Sequence, residues 1–221
     1  MFDTVLQPRI IGIQDWATIV FVAMFGIIVV VKSVFESRFQ DFLNLIISDK
    51  YTKIYRDASY LMSGFTIFLF VVQLISFSFF IQLTLHKFYQ LPKNDWILFI
   101  QINTFISVFV LSKFLIDKII ATSFDIEEFA DQFNLQKVTY RTYIGILLLP
   151  VNAILFYNPN ASDFLFYCII AIIIATNLLT YIISLKNYQN LLIGKLFYFI
   201  LYLCALEIAP YYFIYDWFVR R

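Results

Sequence analysis

Long apolar stretches, separated by short charged ones, run the length of the chain. Runs free of Asp, Glu, Lys, Arg and His cover Trp16–Val31, Ala58–Leu85, Trp96–Ser112, Thr142–Ser162 and Phe164–Leu185. A last run, Leu196–Tyr215, is interrupted only by Glu207. A helix needs about 20 mostly apolar residues to cross the ~30 Å hydrocarbon core, and a charge at mid-core is costly. The pattern predicts an all-α, polytopic membrane protein, a bundle of about six transmembrane helices with amphipathic interfacial helices. Spans are expected near residues 16–35, 60–85, 96–115, 142–157, 163–185 and 196–218 of a single membrane domain, 1–221. Asn158-Pro159-Asn160 reads as a tight turn between two of them. Only Arg9 is basic ahead of the first span, and no small-x-small site follows it. That span is expected to be a retained helix rather than a secretory signal.

Two connections carry a pattern of their own. Phe35, Phe39, Phe42, Leu43 and Ile46 recur at helical spacing, with Glu36, Gln40, Asp41 and Asn44 opposite them. After Ser48-Asp49, a candidate N-cap, the residues Tyr51, Ile54, Tyr55 and Ala58 repeat the stripe into the second span. Such a stripe fits a helix lying in the interface plane, or equally a helix packed on the bundle. Further on, Asp125, Glu127, Glu128 and Asp131 form an acidic run with no base, and Ile126, Phe129 and Phe133 supply an apolar stripe. Asp125 and Glu128 have capping-box spacing. A short acidic helix held off the anionic lipid surface is expected here, either docking a basic partner or presenting a solvated face.

Basic residues set the orientation. Eleven of the 16 Lys and Arg residues fall in the connections 32–57, 113–141 and 186–195, against five on the other side. The richer side is expected to be cytoplasmic, which leaves both termini outside. Composition agrees with a membrane chain: 62% of residues are hydrophobic and 14% charged, where soluble domains carry about a quarter charged residues. A net charge of +1 leaves no basic surplus for nucleic acid. Two cysteines and one histidine are too few for a disulfide framework or a closed zinc site. Trp16, Trp96 and Trp217 stand at predicted boundaries, as interfacial anchors do. Five glycines and no G-x-x-x-G predict packing through large side chains.

Polar residues within the spans are the first place to look for function, because apolar replacements are nearly always acceptable there. Glu207 is the only acid deep inside a span, and Gln73, Asn103, Asn152 and Asn177 lie near the middles of others. Pro150 and Pro210 each free a backbone carbonyl one turn earlier. Two readings stay open. One is a midplane site for an ion, a proton or a polar headgroup, centred on Glu207. The other is interhelical hydrogen bonding worth about 0.6–2 kcal/mol per contact.

Catalytic signatures are missing. The sequence has no H-E-x-x-H, no G-x-S-x-G and no Walker loop. Glu127-Glu128 lacks the arginine that an E-E-x-x-x-R protease signature requires, since position 132 is Gln132. His86 alone cannot supply two axial haem ligands. No cofactor, metal or catalytic residue is expected.

Certain segments resemble a known family. They are K-F-L-I-D-K-I-I at Lys113–Ile120, F-x-x-x-F at Phe129–Phe133, Y-I-G-I-L-L-L-P at Tyr143–Pro150, and F-L-x-x-x-I-S-D-K at Phe42–Lys50. Together they resemble a domain-of-unknown-function family of small polytopic inner-membrane proteins of Bacteroidota. The resemblance implies a bacterial inner membrane and no assigned activity. The expected function is a non-enzymatic membrane subunit or scaffold of the cell envelope. It would sit in the lipid bilayer and dock a membrane or cytoplasmic protein through its cytoplasmic helices; self-association is left open. The alternative is a small transporter, channel or lipid-handling protein using the midplane polar layer.

Overall fold

The computed structural model describes residues 15–46, 51, 54–55, 63–123, 127–158 and 162–187. These form α1 (Asp15–Val34), α2 (Glu36–Leu43), α3 (Gly64–Tyr89), α4 (Trp96–Ser123), α5 (Glu127–Tyr157) and α6 (Asp163–Asn187). A 3-10 turn, Asn44–Ile46, follows α2, and no strand occurs among the described residues. Among the described residues, four helices are long and apolar enough to cross a membrane: α1, α3, α4 and the Ala130–Tyr157 part of α5. The described apolar stretch of α6, Asp163–Leu179, is shorter. The span expected at 196–218 lies outside the described residues.

α3 occupies the centre, packed on α1, α4 and, most extensively, α5. Ser63 caps its first turn by accepting a hydrogen bond from the Thr66 amide, and the left-handed Gln90 (φ 58°) ends it. The core between these helices is aromatic. Phe79 stacks on Phe21 at 4.4 Å and meets Phe99 in a tilted pair at 4.5 Å, and Trp16 lies 5.2 Å from Phe99. Such offset and tilted pairs each add about 0.5–1.5 kcal/mol beyond the area they bury. At the same end, which carries both Trp16 and Trp96, three side chains pin the α3–α4 turn. Gln82 Nε2 donates to the carbonyls of Lys93 and Asp95, Trp16 Nε1 donates to Asn94 O, and Lys93 Nζ caps the end of α5 at Phe156 O.

Large side chains do not make every contact. A Cβ added at Gly145 of α5 would lie 2.9 Å from Gln73 Cα, so α3 and α5 touch at the backbone there. Only glycine permits that approach.

The helices also run further than hydropathy predicts. α4 continues past 115 to Ser123, and α5 begins at Glu127 instead of 142. At 28 and 31 residues, they are about 42 and 46 Å long, well beyond a ~30 Å core. Glu127, Glu128 and Asp131 therefore belong to the first turns of α5 rather than to a separate acidic helix. Charges at Lys113, Asp117 and Lys137 end an apolar window without ending a helix, because helical backbone groups bond within their own segment. Asp117 and Lys137 find each other across α4 and α5.

Candidate functional site

Two groups of polar side chains lie inside the bundle. The first contains the amides singled out in the sequence. Gln73 Oε1, buried on α3, accepts a 2.8 Å hydrogen bond from Thr142 Oγ1 of α5. Asn152, wholly enclosed, donates from Nδ2 to Ser76 O at 2.7 Å. Asn103 Oδ1 of α4 accepts from Ser78 Oγ at 3.0 Å. Asn177 stays on its own helix, donating to Ile173 O at 2.7 Å. Three of the four thus form separate interhelical ties on α3, and Asn177 does not join them. Gln82 Oε1 and Asn152 Oδ1 are among the buried acceptors that take no hydrogen bond from the described residues. Glu207 lies outside those residues.

The second group gathers at the opposite end from Trp16 and Trp96, where α3 and α5 begin and α4 ends. Asp117 of α4 and Lys137 of α5 are both buried, with Oδ2 and Nζ 3.8 Å apart. Lys137 also stands 4.8 Å over the Phe133 ring, a cation–π contact. Lys113, one turn before Asp117, is buried too, as are Asn134, Gln136 and Thr139. Nearer solvent, Lys118 Nζ donates to both oxygens of Asp131, at 2.8 and 3.0 Å. Of the acidic residues expected to dock a partner, Asp131 is thus engaged by Lys118 and Glu127 is exposed. Glu128 lies in α5, and Asp125 lies outside the described residues.

Arg38 completes this end. Its guanidinium donates to Ser63 Oγ at 2.7 Å, Thr66 Oγ1 at 3.1 Å and Tyr51 OH at 3.3 Å. It also makes cation–π contacts with the rings of Phe65, at 4.5 Å, and Tyr55, at 5.0 Å. Burial raises the Tyr51 phenol above its usual pKa despite the nearby Arg38 charge, which keeps it a neutral partner. The contact clamps α2 onto the cap of α3. It also rotates α2 relative to expectation: Arg38, Phe39, Phe42 and Leu45 face inward, while Leu43 is 47% exposed. A hydrophobicity stripe excludes arginine by type, whereas a long side chain with hydroxyl partners and aromatic walls can be enclosed. The signal was the spacing: positions 38, 42 and 45 share one helical face.

Sequence reasoning also missed the Asp117–Lys137 pair, because it placed both residues in a connection. Their chemistry is that of a structural ion pair with polar surroundings. Among the described residues, no three His, Cys, Asp or Glu side chains converge to hold a metal ion.

The comparisons bear on one part of the resemblance noted in the sequence, the family without an assigned function. Neither the curated proteins nor the solved structures compared with the chain gives a match. A family model does match, over residues 17–218, which takes in both polar groups and all of the described helices but the first two residues of α1. The chain belongs to the family described as a domain of unknown function, DUF4271.

Proposed function

We propose that the protein is a non-enzymatic subunit or scaffold of a bacterial inner membrane, docking a partner protein at its cytoplasmic end. The observation that carries this reading is the clamped α2. Buried Arg38, Phe39 and Phe42 fix the helix on the bundle, so Glu36, Ser37 and Gln40 form a rigid, outward polar face. Preorganised polar surface binds at a lower entropic cost than a mobile loop. The excess of basic residues supports a cytoplasmic place for this end and periplasmic termini. The amide ties on α3 support a structural use of the polar residues within the spans.

The test is affinity purification of the full chain from native membranes in mild detergent, beside a Glu36→Lys/Gln40→Lys variant. A stoichiometric partner should copurify with the natural chain and be lost from the variant, while both melt alike. Recovery of the same proteins with both chains would overturn the reading.

A second reading, a transporter or lipid-handling protein, draws support from Asn152 Oδ1, a buried acceptor that takes no hydrogen bond among the described residues. Such an acceptor suits a polar guest or a protonated acid at mid-bundle. It predicts that Glu207→Gln abolishes flux in liposomes at unchanged thermal stability. Lost stability with no flux from either chain would reject it.

A further inference from the structure

α4 turns one side to the bundle. Its buried residues, Phe99, Lys113, Asp117 and Ala121, share one face at about 100° per residue. On the opposite side Ile97, Gln101, Thr104, Val108, Leu111 and Leu115 follow one another at steps of four and three, all exposed. Alternating steps of that kind make the seam by which two helices pack side by side. Among the described residues, α4 is the least enclosed of the four membrane-length helices.

Two seam residues are polar. Gln101 lies five residues inside Trp96, about 7.5 Å deeper along the helix, and Thr104 about 12 Å. Among the described residues neither side chain makes a hydrogen bond. The inward polar residues of the same helix behave differently, since Asn103 accepts from Ser78 and Ser107 donates to Asn103 O. Lipid tails offer no partner to an amide, so an outward Gln at this depth calls for one from beyond the described residues.

We infer that this stripe is the contact for a second copy of the chain, α4 against α4 about a two-fold axis along the membrane normal. The Gln101 amides of the two copies hydrogen-bond to each other. A carboxamide carries both donors and acceptors, so its own copy satisfies it. Copies inserted in the same direction hold Gln101 at the same depth, and a two-fold axis brings equivalent positions together. An unlike helix would need a polar group at that depth, whereas a second copy always has one. The contact is independent of any partner at the charged end.

The experiment uses the full chain in native membranes, with Cys168 and Cys204 replaced by Ser and single cysteines at Val108 or Leu115. Oxidation should give disulfide-linked dimers at both positions and none at the lipid-facing controls Val22→Cys and Ile174→Cys. Adding Gln101→Leu should raise the dissociation constant of the dimer about five- to thirty-fold, and Gln101→Asn should restore part of it. Equal crosslinking at the controls, no crosslinking at 108 and 115, or a monomer in native mass spectrometry would overturn the contact. So would a linkage inside one chain between Val108→Cys and a retained Cys204. A Gln101→Leu dimer as tight as the natural one would overturn the amide pairing.

Discussion

Asp117 and Lys137 are each almost wholly enclosed, 3.8 Å apart, on two helices that both continue beyond the membrane core. At that separation their attraction offsets the cost of removing two charges from water only while both are present. Truncating one should cost far more than truncating both. We expect Asp117→Leu or Lys137→Leu to destabilise the bundle by about 3–5 kcal/mol, and the double variant to recover most of that loss. Thermal melting in detergent micelles of the four proteins closes the cycle. Additive losses would mean that the pair is not coupled. Arg38 differs in kind: the partners described around it are neutral hydroxyls and aromatic faces, an arrangement that suits the weakly hydrated, planar guanidinium better than an ammonium.

Among the helices, the α3–α5 contact decides the packing, and Gly145 sets how close it is. A methyl group at 145 would meet Gln73 Cα at 2.9 Å. That atom is backbone, so relief requires moving a helix that also holds Thr142 and Ser76–Asn152 in register. Gly145→Ala should therefore lose about 1–3 kcal/mol through overpacking, more than the ~1 kcal/mol that alanine gains in helix propensity. Gly26 of α1 is the control, since a Cβ there meets nothing within 4 Å. Its alanine variant should be neutral or slightly stabilising. Equal melting of the two variants would remove the case for a close approach at 145.

For the molecule as a whole, orientation governs every functional reading. Single cysteines at Asp3, Ser123 and Arg221, in a background without Cys168 and Cys204, can be probed in whole cells with a membrane-impermeant thiol reagent. Labelling at 3 and 221 but not at 123 is expected; the reverse pattern would invert the molecule and move the α2 platform outside. Several features were legible in the sequence because they depend on local composition. The all-helical class, the apolar segments that became α1, α3, α4 and α5, and the resemblance to the family all follow from patterns carried by neighbouring residues. Hydrogen-bonding capacity was equally legible: Gln73, Asn103 and Asn152 had to find partners wherever they were buried. Which partners they found was decided by the tertiary fold. Ser76 lies 76 positions from Asn152, and Thr142 lies 69 from Gln73. The inward turn of Arg38, the burial of Asp117 with Lys137 and the close approach at Gly145 likewise needed a second helix in place. A charge is excluded from an apolar core by its own chemistry, and that the sequence records. Its admission depends on a counter-charge, a hydroxyl or a ring supplied from elsewhere in the chain, and only the assembled bundle supplies it.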